Sequence, residues 1–331
     1  MKNIKYIFSL LFAIIIIYLL FKNQDPISLI NEIKKVEFKW VILSMVFGGW
    51  AYVSRGVRWI ILIDVFGKKI SKMNSISAVS IGYFTNLFIP RAGEISRCTA
   101  LSQVDNIPIN KLFGTIIIER IIDFIFLFSL LLLTIILKFN DILNFCFILN
   151  EQEESQEGGV PFIIITIITL SLIIAYFVIK FSKNSKLYTK MKTFYNELKE
   201  GMNSIKKIKN KKLFWIHTIN IWLMYFLMTY VCFFSMQETS HLNIGDGLFL
   251  LVLGGIGMVI PTPGGIGSYH AIVMIGLSAL GVGSIFLAEG GDPKNPALIF
   301  PTILHIAQTL VAIIMGSVSL LLLLYNKDKK H

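Results

Sequence analysis

The sequence predicts an all-α integral membrane protein with six spanning helices and two broken, re-entrant helical hairpins arranged as an inverted repeat. Three observations carry this. The 331 residues are 55% hydrophobic and only 15% charged, where a soluble domain is about 25% charged. Apolar runs of the ~20 residues needed to cross a bilayer recur along the chain. Finally, the pattern Ile-Pro-x-x-Gly-x-Ile occurs twice inside apolar sequence, from Ile89 to Ile95 and from Ile260 to Ile266.

The first run, 4–22, follows Lys2 and Lys5. It leads directly into Phe21-Lys22-Asn23-Gln24 with no small-residue cleavage site, so it reads as an uncleaved first span rather than a secretory signal. Further spans fall near 40–64, 110–138, 161–181, 213–236 and 298–324. The stretches 76–104 and 246–281 are apolar but broken, the first at Pro90 and Gly93, the second at Pro261, Pro263, Gly264, Gly265 and Gly267. A Pro and a Gly three residues apart interrupt a membrane helix, and freed backbone groups are tolerated only where protein or a wet cavity surrounds them. Each arm is about 13–18 residues long, short for a crossing, which favours re-entrant hairpins. Two thin full spans for each stretch is the alternative.

Charge sets the orientation. Loop 65–75 carries Lys68, Lys69 and Lys72, loop 180–212 carries eleven lysines against Glu197 and Glu200, and the C-terminus adds Lys327, Lys329 and Lys330. All are expected in the cytoplasm. Loop 139–160 holds Asp141, Glu151, Glu153, Glu154 and Glu157 with no Lys or Arg, and reads as external. Six crossings with both termini cytoplasmic satisfy every loop. The order span, span, hairpin, span then occurs twice, in halves of about 1–140 and 160–331 within one domain covering 1–331. Three crossings per half invert the second copy, so the two broken tips are expected to meet near the midplane. Paired breaks of this kind point to a transporter's substrate site.

Eight charges lie within the apolar sequence of the first half. Arg55 and Arg58 are three residues apart and share a helix face, as do Glu119 and Asp123, four apart, with Arg120 adjacent. Arg91, Glu94 and Arg97 follow the first break. Arg58 lies only about 9 Å from Asp64 along the helix, so snorkelling to the interface accounts for it as well as burial does. Glu119 is about 14 Å from Asn110, too deep to reach water. The bland account of Glu119, Arg120 and Asp123 is ion pairing that holds helices together. The sum decides more: five arginines oppose three carboxylates, and pairing cannot neutralise two excess guanidiniums. Such a set attracts an anion, and the planar arginine fork suits phosphate. An anionic headgroup entering from the inner leaflet is the simplest ligand, and the helix starting near Gly93 is expected to add backbone donors.

The second break carries only glycines, in two Gly-Gly-Ile-Gly copies at 254–257 and 264–267. Tight helix packing explains these as well as ligand contact does. Tyr269 and His270 follow as candidate polar contacts, with His305 and Gln308 as weaker ones. The net charge of +11 belongs to cytoplasmic loops rather than to a nucleic-acid surface. No phosphate-binding loop, H-E-x-x-H motif or paired-cysteine spacing is present. No catalytic residue, cofactor or metal ligand is assigned.

Four motifs in register, Arg55-x-x-Arg58-Trp59, Asn86-x-x-x-Pro90-Arg91-x-Gly93-Glu94-x-x-Arg97, Glu119-Arg120-x-x-Asp123 and Pro261-Thr262-Pro263-Gly264-Gly265-Ile266-Gly267, resemble the lysylphosphatidylglycerol synthase transmembrane, or flippase-like, family over nearly the whole chain. The resemblance places Arg55, Arg58, Asn86, Arg91, Glu94, Arg97, Glu119, Arg120 and Asp123 on the family's polar positions. The family's membrane domain is similar to the flippase half of the multiple peptide resistance factors, which move aminoacylated phospholipid between leaflets. It implies ATP-independent translocation, in the cell (inner) membrane, of an anionic phospholipid, aminoacyl-phospholipid or polyprenyl-phosphate lipid. No aminoacyltransferase domain precedes His331, so synthesis of lysyl lipid is not expected of this chain. The family also tends to carry Glu shortly after its Pro-Gly-Gly motif where this chain has Tyr269-His270, which argues against lysyl-phosphatidylglycerol as substrate. Two other classes stay open. One is an accessory subunit of a lipid-modifying enzyme, docked through the lysine-rich loop; the other is a membrane-embedded transferase acting on polyprenyl-phosphate sugars.

Overall fold

The computed structural model describes residues 2–22, 26–143, 208–284 and 295–328. The expected span 161–181 and most of loops 139–160 and 180–212 lie outside the described residues. Ten helices of ten or more residues are described: α1 (Lys2–Phe21), α2 (Pro26–Lys35), α3 (Phe38–Ile63), α4 (Lys72–Phe88), α5 (Gly93–Asp105), α6 (Ile109–Leu137), α7 (Lys211–Cys232), α8 (Ile244–Val259), α9 (Ser268–Ala279) and α10 (Pro296–Asp328). No strand occurs among the described residues. The helices α6, α7 with its terminal turn, and α10 are each long and apolar enough to cross a membrane. The α2–α3 pair, bent by 82°, is a fourth candidate span.

The helix α2 was not expected from the sequence. Its signal is there in retrospect: Pro26 at the first helical position, where its missing N–H costs nothing, then Ile27, Leu29, Ile30 and Ile33 at helical spacing before Lys34 and Lys35. It is too short and too polar to register as a span.

Both broken stretches form helical hairpins. α4 packs on α5 across Ile89–Ala92, and α8 packs on α9 across a 3-10 turn at Pro263–Gly265. Close approach explains the glycines on the inner faces. A Cβ at Gly93 would overlap the Gly82 carbonyl and the Asn86 side chain, and one at Gly257 would lie 2.9 Å from the Tyr269 Cα. The tight-packing account of Gly254 and Gly257 therefore holds, since both face Tyr269. Gly264, Gly265 and Gly267 have φ of 60°, 80° and 84°, a left-handed region open to glycine at no steric cost. Gly93→Ala is expected to lower stability by about 1–3 kcal/mol through overpacking, read as a lower unfolding midpoint in detergent; an unchanged midpoint would contradict the close hairpin contact.

Two cores hold the bundle. One joins α3, α5, α6 and α7 around Trp59, Leu101, Leu112 and Phe214, and the other joins α7 to α10 around Phe233, Leu250, Phe300 and Leu304. At the far end of α6, Lys138 pairs with Asp141 and with Asp246. Asp246 also closes a capping box with Asn243, so the end of α6 is tied to the start of the second hairpin. The hairpin tips meet. The Arg91 guanidinium donates from Nη2 to the Val259 carbonyl at 3.1 Å, and Gly264 lies against Leu87.

Candidate functional site

The arginine–carboxylate network is built by helix phase. Arg55 and Arg58, one turn apart on α3, face Glu119 and Asp123, one turn apart on α6. Glu119 Oε1 accepts from Arg55 Nη1 at 3.0 Å and from Arg58 Nη2 at 2.9 Å, and its Oε2 accepts from Arg97 Nη2 at 2.7 Å. Asp123 accepts from Arg55 Nη1 at 2.7 Å and pairs with Arg58 Nη1 at 2.8 Å. The Arg97 guanidinium also lies 4.0 Å from the Trp59 ring centroid, a cation–π contact. All five charged residues are buried, Arg58 and Glu119 completely. Snorkelling therefore does not describe Arg58, whose guanidinium is spent inside the protein.

Three guanidiniums against two carboxylates leave this buried network one positive charge in excess. The remaining three charges, Arg91, Glu94 and Arg120, are more accessible than this network. Arg120 is half-exposed and pairs with Glu94 at 3.5 Å rather than with Glu119 or Asp123. Arg91 is exposed at the hairpin tip with φ of 61°, a strained conformation for a side chain larger than glycine.

A cavity of about 850 Å³ is walled by α3, α4, α6, α7, both hairpin tips and α10. Arg55, Asn86, Pro90, Arg91, Glu94, Arg120 and Asp123 line it, as do Pro261, Thr262, Gly264, Gly265 and Tyr269 from the second hairpin. The predicted residues Arg58, Arg97, Glu119, Gly93, Pro263, Gly267 and His270 do not line it. The first three stand behind Arg55 in the buried network, and the others serve packing and the backbone turn. The Gly93 N–H, expected as a free donor, instead donates to Asn86 Oδ1 at 2.7 Å. Asn86 thus caps the second arm of its own hairpin.

Sequence reasoning missed an aromatic lining. Tyr52, Tyr83, Trp222 and Tyr225 face the cavity. The Tyr52 and Tyr83 rings stack at 4.1 Å, the Tyr83 and Tyr225 hydroxyls share a hydrogen bond of 2.9 Å, and Arg55 lies within 6 Å of the Tyr83 and Tyr225 rings. The available signal was helical phase: Tyr52 precedes Arg55 by three, Tyr83 precedes Asn86 by three, and Trp222 precedes Tyr225 by three.

A UPF0104 membrane protein of Methanocaldococcus jannaschii is 22% identical to this chain over 326 residues, covering 88% of this chain and 87% of its own length. No solved structure matches. The family described as the lysylphosphatidylglycerol synthase TM region matches residues 6–316, almost the whole chain and all four polar motifs. The chain belongs to the lysylphosphatidylglycerol synthase TM region family.

Proposed function

We propose that this protein moves an anionic, phosphate-bearing lipid between membrane leaflets without ATP. The observation that carries this reading is the cavity shared by the two hairpin tips, where Arg55, Arg91 and Arg120 meet Glu94 and Asp123. One positive charge remains over on that wall. A guanidinium in a low-dielectric pocket that is not fully neutralised favours an anion, and its planar fork matches two phosphate oxygens. Asp123 holds Arg55 and Glu94 sits beside Arg120, so among the described residues Arg91 is the arginine of this wall with no carboxylate of its own. The rest of the wall is largely apolar and aromatic, as acyl or prenyl chains require.

In this reading the hairpins are re-entrant, the halves form an inverted repeat, and both termini lie in the cytoplasm of a cell whose inner membrane holds the protein. The headgroup enters from the inner leaflet and contacts the first hairpin. Parting of the tips around it then exposes it to the other side. The family's description supports a lipid context.

The test is headgroup-labelled lipid in proteoliposomes. Anionic glycerophospholipid or polyprenyl phosphate is expected to cross at least tenfold faster than in protein-free vesicles, and zwitterionic lipid to cross no faster. If folded, inserted protein moves no lipid from an anionic panel, transport is wrong and the accessory-subunit reading replaces it.

A further inference from the structure

The cavity has a second polar end, on the α9–α10 side. His305 lines it, as do Tyr269 and Gln308. His305 is 5% exposed, and among the described residues neither of its ring nitrogens has a hydrogen-bond partner. Its ring packs 5.2 Å from Tyr269 and 4.9 Å from His270. Among the described residues the Tyr269 hydroxyl accepts only a long bond of 3.4 Å, from Gln308 Nε2. The 3-10 turn covers the site: a Cβ on Gly265 would lie 3.7 Å from His305 Cε1. Two adjacent left-handed glycines, Gly264 and Gly265, make that cover a turn held by glycine alone.

A buried donor or acceptor without a partner costs about 1–3 kcal/mol, and a group left so in a native protein calls for a ligand, water or ion. The surroundings select which. Tyr269, His305 and Gln308 are hydrogen-bonding groups without a carboxylate or an arginine among them. The two carboxylates of the cavity belong to α5 and α6, each beside an arginine. A cationic headgroup here would lie without a counter-charge, which is costly. A hydroxyl both donates and accepts, as a neutral imidazole does.

We propose that this end of the cavity is a subsite for the uncharged, hydroxyl-bearing part of a phosphodiester headgroup, a glycerol or a sugar, with His305 as its main hydrogen-bonding residue. The inference rests on the phosphate-lipid reading above and narrows it: the arginine wall takes the phosphate and the histidine wall takes the polyol beyond it. Lipids with an ammonium group in that place, aminoacylated ones included, are disfavoured.

Binding to the purified full-length chain in detergent tests this without requiring transport. The probes are short-chain phosphatidylglycerol, phosphatidic acid and lysyl-phosphatidylglycerol, together with a polyprenyl phosphate with and without a sugar. Phosphatidylglycerol is expected to bind about tenfold more tightly than phosphatidic acid, the worth of one or two hydrogen bonds, and lysyl-phosphatidylglycerol more weakly than either. A matching preference for the sugar-bearing polyprenyl lipid would identify that source of polyol instead. His305→Phe keeps the ring and removes both nitrogens, and is expected to bring phosphatidylglycerol down to the affinity of phosphatidic acid. Gln308→Leu is expected to remove part of the preference and serves alone if the histidine variant does not fold. Equal affinities in the wild type, tightest binding of the lysyl lipid, or a preference that survives both substitutions would overturn the subsite. Absence of binding by every phosphate lipid counts instead against the phosphate-lipid reading, and the subsite falls with it.

Discussion

Glu119→Gln is expected to lower stability by about 3–5 kcal/mol, the cost of removing one partner from a buried ion-pair group. Glu119 is fully buried and receives three guanidiniums, from α3 and from the second arm of the first hairpin. The amide keeps the shape and removes the charge. Three buried arginines then share Asp123 alone, and the excess inside the protein doubles from one positive charge to two. The readouts are folded yield and unfolding midpoint in detergent. A second substitution separates charge from shape. Arg97→Met in the Glu119→Gln background removes one guanidinium and restores the original balance, so part of the lost stability is expected to return, although Arg97→Met alone is destabilising. If the double variant is as unstable as the sum of the singles, charge balance does not hold this network together.

The contrast between Glu119 and Arg91 marks how far the sequence could be read. Helix phase identified the two pairs, Arg55 with Arg58 and Glu119 with Asp123, as sharing faces, and the structure joins those faces. Five of the six expected spans fall on described helices, of which three, or four with the bent α2–α3 pair, are long and apolar enough to cross a membrane, and both Pro/Gly stretches are helical hairpins. Periodicity gives the face of a helix but not what that face meets. It therefore could not separate Arg58, Arg97 and Glu119, which are walled off, from Arg55, Arg91 and Arg120, which line the cavity. Nor could it join Tyr269 to His305, because that contact depends on how α9 packs against α10. The amphipathic α2 escaped for a different reason: it is neither long enough nor apolar enough to resemble a span.

Arg91→Gly is expected to slow lipid movement at least tenfold while leaving stability within about 1 kcal/mol of the wild type. The two effects separate because the position is strained. A side chain at φ of 61° costs about 1–2 kcal/mol that glycine does not incur. Against that gain stand the added freedom of glycine in the unfolded chain and the lost hydrogen bond to the Val259 carbonyl, so the sum is near zero. Arg91→Ala keeps the strain and loses the same bond, and is expected to be the less stable variant by about 1 kcal/mol. On transport the order differs. Both variants lack the guanidinium, and a charge-assisted hydrogen bond to phosphate is worth about 1.5–3 kcal/mol, roughly a tenfold to hundredfold loss for each. Equal transport defects with unequal midpoints assign the arginine to the ligand rather than to the fold. A glycine variant that transports as the wild type does, with the alanine variant impaired in proportion to its instability, makes Arg91 a structural tie between the hairpin tips and returns the anion site to Arg55 and Arg120.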